Sequence, residues 1–315
     1  MNIVFLDSTA IPKHISIPRP SFPHNWVEYE YTSAEQTIER AKDADIIITS
    51  KVILSREVLQ QLPKLKLIAI TATGTNNVDL DASKELGVAV KNVTGYSATT
   101  VPEHVLGMIF ALKHSLAGWQ RDQITGKWTE SKQFCYFDYP ITDVKGSTLG
   151  MFGKGCLGTE VGRLAELLGM KVLYAEHRNA TTCREGYTPF EEVLKQADIL
   201  TLHCALTETT KNLINQETLS LCKKGAYLIN TGRGPLIDEQ AVCDALKSGR
   251  LGGAALDVLV KEPPEKNNPL IELAKTMPNL IITPHIAWAS DSAVTTLTKK
   301  VTQNIEDFVQ QLNQK

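Results

Sequence analysis

The chain has 315 residues, 43% of them hydrophobic and 22% charged, with a formal net charge of −2. That length exceeds one typical core and suits two domains of an ordinary globular protein. A balance this near neutrality gives no electrostatic reason to bind nucleic acid or an anionic membrane, and no apolar run approaches the length of a membrane span.

In chain order, residues 2–7 read as a first strand and not as a leader, because MNIVFLD lacks a basic flank and meets Asp7 early. Apolar, β-rich runs recur at 44–50, 65–71, 88–93, 147–153, 171–176, 198–204, 226–232, 252–258 and 280–285. Several are apolar throughout, as expected when helices cover both faces of a sheet. Helix starts lie between them. Ser33 to Gln36 has the form of a capping box. Pro189, in Thr188-Pro-Phe-Glu191, falls in a first helical turn. Asp238 is placed to cap 239–248, which stops at Gly249. Repeated strand–helix–strand units argue for doubly wound α/β architecture.

The alternation breaks twice. Thr100 opens a long helix running through VLGMIFALKHSLAGW, apolar on all sides and so buried between domains or between subunits. The following 120–146 reads as a loop-rich connector. After 280–285, residues 290–313 carry one apolar stripe (Val294, Leu297, Val301, Ile305, Phe308, Leu312), a single helix. The economical reading sends it back onto the N-terminal domain. The expected layout is a dinucleotide domain, 99–286, inserted into a discontinuous substrate domain, 1–98 plus 287–315.

The six cysteines (135, 156, 183, 204, 222, 243) are scattered with no CxxC pair. They read as reduced, mostly buried thiols of a cytoplasmic protein. His203 and Cys204 are strand neighbours pointing to opposite faces, so no metal site is expected.

The chemistry concentrates just past strand ends, where ligands bind in an open parallel sheet. Gly153-Lys154-Gly155-Cys156-Leu157-Gly158 follows one strand and opens a helix, and Glu176 ends the next strand. That context marks a dinucleotide site. Glu176 favours NAD over NADP, because its carboxylate accepts from ribose hydroxyls and repels a 2′-phosphate; His177 and Arg178 work the other way. Arg233, Glu262 and His285 follow three successive strands. His285 is either a structural histidine or the proton donor that ketone reduction needs. Glu262 is either a solvated loop carboxylate or the partner that orients His285. Arg233, between two glycines that leave its surroundings open, is either structural or a bidentate partner for a carboxylate. Trp288 either walls the substrate pocket or packs at a domain interface.

Taken with Leu202-His-Cys-Ala-Leu-Thr207, Asn230-Thr-Gly-Arg-Gly234, Ala255-Leu-Asp-Val258, Lys261-Glu-Pro263 and Thr283-Pro-His-Ile-Ala287, the sequence resembles the D-isomer-specific 2-hydroxyacid dehydrogenases over essentially its whole length. The resemblance implies two doubly wound parallel-sheet domains, a Rossmann-type NAD domain inserted into a flavodoxin-like substrate domain, and a homodimer. It implies an NAD-dependent oxidoreductase of small 2-keto and D-2-hydroxy acids. Arg233 would bind substrate and polarise its carbonyl, His285 would be the general acid/base, and Glu262 its partner. Thr73 and Gly74 would take the substrate carboxylate on backbone N–H groups. Asp257 would contact the nicotinamide carboxamide, and Cys204, Thr207 and Thr231 would line the cofactor cleft. Ala205 departs from the family's usual proline, and Glu176 from its commoner aspartate. Within the family, 254–264 and 285–290 are most similar to glycerate dehydrogenases (hydroxypyruvate reductases). Alternatives are a relative acting on glyoxylate or a D-lactate-like acid, and a non-catalytic, NAD-sensing co-repressor of the same fold.

Overall fold

The computed structural model describes residues 1–314. The chain divides into two compact units, Met1–Ser97 with the segment from Ala289 onward, and Ala98–Trp288.

The first unit is a five-stranded parallel sheet in the order β2-β1-β3-β4-β5. Its strands are β1 (Asn2–Phe5), β2 (Asn25–Glu28), β3 (Ile46–Thr49), β4 (Leu67–Ile70) and β5 (Ala89–Lys91). Ile46, Ile47 and Ile48 are all fully buried, so both faces of β3 are covered and no alternation survives in the sequence. Helices α1 (Ala34–Ala41), α2 (Arg56–Leu59) and α3 (Leu80–Glu85) connect the strands. The capping box at Ser33 is formed. The edge strand β2 escaped the sequence reading. It is mostly exposed and lies just after a proline-rich stretch, so it shows neither a buried run nor an alternation.

The second unit is a six-stranded parallel sheet in the order β11-β10-β9-β8-β6-β7. Its first helices are α4 (Thr100–Lys113), α5 (Leu116–Ile124) and α6 (Lys127–Ser131). The long apolar helix of the sequence reading is thus two helices, broken where Ser115 adopts a left-handed φ of 52°. The connector is correspondingly less loop-rich than expected, with α5 and α6 occupying part of it. Then follow β6 (Thr148–Phe152), α7 (Cys156–Leu167), β7 (Lys171–Tyr174), α8 (Phe190–Gln196), β8 (Ile199–Leu202), α9 (Gln216–Leu221), β9 (Ala226–Asn230), α10 (Glu239–Lys247), β10 (Leu251–Leu256), α11 (Pro269–Ala274) and β11 (Leu280–Ile282). Pro189 is the cap of α8 and not part of its first turn. Asp238 caps α10 through Gln240 and Ala241, as its position predicts. The strands end one to three residues short of their apolar runs, because those last residues already belong to the turns that follow.

Helix α12 (Asp291–Asn313) belongs to the first unit and packs on β4. Val294, Leu297, Val301 and Ile305 are fully buried along its stripe. Among the described residues no helix is long and apolar enough to cross a membrane, and no cluster of side chains suits a metal ion.

Candidate active site

In the second unit the strand order reverses between β6 and β8, which opens a crevice beyond their ends. The Gly153–Gly158 turn lies there. A side chain on Gly153 would strike the His203–Cys204 backbone at 2.6 Å, and one on Gly158 would run into the Gly153 carbonyl. Those two glycines let β6, α7 and the end of β8 meet backbone to backbone. Gly155 is different: nothing lies within 4 Å of where its side chain would be. Gly155 also caps α7, whose N-terminus begins at the exposed Cys156. Closed packing on two sides, open space on the third and a helix N-terminus facing it suit a pyrophosphate. Lys154 is exposed and Leu157 half-buried in the same turn. Thr231, just past β9, has a buried hydroxyl with no hydrogen-bond partner, which a bound ligand would satisfy. Thr207 lies in an exposed turn after β8, where its hydroxyl meets those of Thr209 and Thr210 at 3.0 and 3.1 Å. Cys204 is half-buried and burial raises its thiol.

The catalytic candidates follow the three strands at the other end of the sheet. Asn230, Leu256 and Ile282 are level in register across β9, β10 and β11. Arg233 and His285 lie three residues beyond that level on strands two apart, a separation of roughly 10 Å from strand spacing alone. His285 Nδ1 is 2.6 Å from Glu262 Oε2. The other Glu262 oxygen accepts from Leu259 N–H at 2.9 Å, so the carboxylate is fixed from both sides. A carboxylate on Nδ1 assigns the proton to that nitrogen and leaves Nε2 to face a substrate.

The backbone beneath the ring is held as tightly. His285 has a left-handed φ of 56°, a conformation that costs a non-glycine residue energy. Its N–H donates to the Asp257 carbonyl at 2.8 Å, and Trp288 Nε1 donates to the His285 carbonyl at 2.9 Å. The Asp257 carboxylate is 2% exposed. It accepts from Thr283 Oγ1 at 2.5 Å and from the N–H groups of Ile286 and Ala287 at 2.9 Å each. What the structure gives Asp257 is therefore the building of the histidine turn. Trp288 has a part in the same turn that neither of its sequence readings contained.

Arg233 is exposed and its guanidinium donates to its neighbour's carbonyl, Gly232 O, at 2.8 Å. The flanking glycines do not leave open space, contrary to expectation. A side chain on Gly234 would collide with the Leu259–Val260 backbone, and one on Gly232 would press on Leu236 at 3.1 Å. They are there for close packing that fixes the arginine's turn. Asn230, fully buried, completes it by donating to the Arg233 carbonyl and accepting from Gly232 N–H.

One other expectation changes. Cys135, Cys156 and Cys183 are exposed, so the thiols are not mostly buried. His203 bonds Thr201 Oγ1 at 2.9 Å, and burial pushes its pKa down to about 4; it is a neutral structural residue. Glu176 is 4% exposed, and both its oxygens already bond donors of its own chain, chiefly Arg184. Sequence reading missed Arg184, which sits in an irregular loop with no motif around it. In the first unit, Thr73 and Gly74 lie in the turn after β4, where Thr73 Oγ1 donates to the Val93 carbonyl at 3.0 Å and Asn92 donates to the Thr73 carbonyl at 2.6 Å.

Residues 106–287 match the family described as D-isomer specific 2-hydroxyacid dehydrogenase, NAD binding domain. The chain belongs to that family. It is an NAD-dependent 2-hydroxyacid dehydrogenase, with its NAD domain in the second unit. A Haemophilus influenzae protein whose name gives 2-hydroxyacid dehydrogenase and no substrate is 82% identical, over 100% of both chains. The glycerate dehydrogenase of Methylorubrum extorquens is 45% identical, over 98% of this dehydrogenase and 96% of that one. Among solved structures, the D-lactate dehydrogenase of Aquifex aeolicus complexed with NAD and lactic acid superposes with a TM-score of 0.80 at 28% identity, covering 98% and 96% of the two chains.

Proposed function

We propose that this dehydrogenase reduces a small 2-keto acid, hydroxypyruvate first, to the D-2-hydroxy acid. The observation that carries the catalytic part is the 2.6 Å contact between His285 Nδ1 and Glu262, on a turn built for it. The substrate preference is supported by the 45% identity to a glycerate dehydrogenase. Bound nicotinamide supplies the hydride. His285 donates the proton from Nε2 to the carbonyl oxygen, and Glu262 holds the ring's orientation through Nδ1. Arg233 takes the substrate carboxylate and polarises the carbonyl beside it. Thr73 and Gly74 are the substrate-binding residues proposed for the first unit, through their own N–H groups, which makes that unit the substrate-binding domain. Gly153 to Gly158, Cys204, Thr207, Thr231 and Asp257 serve the cofactor.

The exposed side chains of Ile124, Phe134 and Phe137, at 78%, 93% and 80% accessibility, support a homodimer in which a second copy covers them. Free thiols throughout support a cytoplasmic location.

The test is to follow NADH oxidation with hydroxypyruvate, glyoxylate, pyruvate and 2-ketoisocaproate. The reading expects the highest kcat/KM on hydroxypyruvate. A clear preference for another acid overturns the substrate, and silence on all four with NADH still bound overturns the enzyme.

A further inference from the structure

A buried carboxylate and a group of cations gather around the end of β7. Glu176 Oε1 accepts from His177 N–H at 2.8 Å and from Arg184 Nη2 at 2.6 Å. Its Oε2 accepts from Arg184 N–H at 3.0 Å and from Arg184 Nε at 2.7 Å. A carboxylate has about four acceptor sites, and here the chain itself engages four donors. The Arg184 guanidinium lies 4.0 Å from the centre of the Tyr187 ring, and the fingerprint lysine, Lys154, lies 5.1 Å from the same ring. Two cations therefore flank one tyrosine beside the strand end that in this fold meets the adenosine ribose. Arg178, nearby in sequence, is paired with Glu217.

A free carboxylate at this position selects NAD in two ways. It accepts from the ribose hydroxyls, and its charge repels a 2′-phosphate. In this chain neither is on offer as the site stands. The acceptors are engaged, and the charge is neutralised by a forked guanidinium. The side-chain bonds to Glu176 use two of the five N–H donors of Arg184, and three are left for a phosphate. Lys154 adds a second positive charge.

We propose that Arg184 is a specificity residue: latched on Glu176, it makes the site accept a 2′-phosphate alongside a 2′-hydroxyl, so that the enzyme takes NADP(H) as well as NAD(H). With NAD, Arg184 releases the carboxylate to the ribose. With NADP, it stays on Glu176 and bonds the phosphate as well. The inference rests on the dinucleotide site and is independent of the keto acid reduced.

The experiment is calorimetric binding of NAD⁺ and NADP⁺ to the whole protein without any keto acid. The wild type is expected to bind the two within about tenfold of each other, the worth of one charged hydrogen bond or less. Arg184→Ala should shift the ratio toward NAD⁺ by roughly ten- to a hundredfold, mainly by weakening NADP⁺. Glu176→Gln, which keeps the arginine and removes the charge, should bind NADP⁺ at least as tightly as the wild type. Circular dichroism checks that each variant is folded. If Arg184→Ala does not fold, Arg184→Lys keeps the charge without the fork and should shift the ratio in the same direction by less. A wild type that binds NAD⁺ and rejects NADP⁺ overturns the proposal. So does an unchanged ratio in a folded Arg184 variant. Failure to bind either nucleotide would overturn the dinucleotide site itself, and this proposal with it.

Discussion

Both sheets use one winding. In each, the first strand lies between the second and the third, so each has a crevice where the order reverses. In the second unit that point holds a glycine turn with open space at Gly155. In the first unit the same point is filled. Asp7, which follows β1, accepts from Ser50 N–H at 2.9 Å and from Lys51 N–H at 2.7 Å, the two residues that follow β3. One crevice offers its backbone donors outward, and the other has them bonded to a buried carboxylate. The winding supplies the location of a site, and three or four residues decide whether anything can enter it.

The comparison breaks most visibly if chemistry is not at the strand ends of the second unit. His285→Ala should lower kcat by about 10²–10⁴-fold, the usual worth of a general acid, with NADH binding unchanged. Wild-type-like turnover would remove the chemistry from that rim. Glu262→Gln should cost roughly ten- to a hundredfold in kcat, as expected for a group that orients a catalytic histidine; KM for the keto acid should move little. Gly158→Ala, which drives a methyl group toward the Gly153 carbonyl, should weaken NADH binding by roughly tenfold or more, because overpacking typically costs about 1–3 kcal/mol. An unaffected Kd would mean the turn is not the cofactor cradle. Asp7→Ala should lower unfolding free energy by about 1–3 kcal/mol through the stranded N–H groups of Ser50 and Lys51, and leave NADH affinity intact. Weakened NADH binding there would blur the distinction between the two crevices.

The smallest effect is also the most discriminating. Burial raises the Asp7 carboxyl above its usual 3.8, although bonds from Lys51 and Ser50 oppose it. The native state then holds that proton more tightly than the unfolded chain, so the Asp7 contribution to stability falls as pH rises above 3.8. Glu176 is opposite. The Arg184 bonds hold it at about 2 against an ordinary 4.5, so its contribution is present above pH 4.5 and lost as pH falls toward 2. Urea midpoints against pH should therefore show Glu176→Gln flattening the acid limb. Asp7→Asn should remove a decline above pH 3.8. Parallel profiles for the two variants would show that the carboxylates do not differ as described.

What was legible in the sequence was whatever repeats locally. Apolar runs gave the strands, the glycine turn announced itself through its strand and helix, and Asp238 marked its helix. What was not legible depends on distant or irregular partners. Nothing around Arg184 signals that it will clasp Glu176 eight residues earlier, because the loop between them has no period. Asp7 meets a turn 43 residues away. Nothing local to the glycines around Arg233 signals that the Leu259 backbone packs against Gly234. The edge strand β2 is too exposed to leave a hydrophobic trace.

The left-handed backbone at His285 sets two selective pressures against each other. Glycine would relieve about 1 kcal/mol of steric conflict there, and would do no chemistry. A library of variants sorted only for heat resistance is thus expected to drift to glycine at residue 285 and, on the proposed mechanism, to lose turnover as it gains stability.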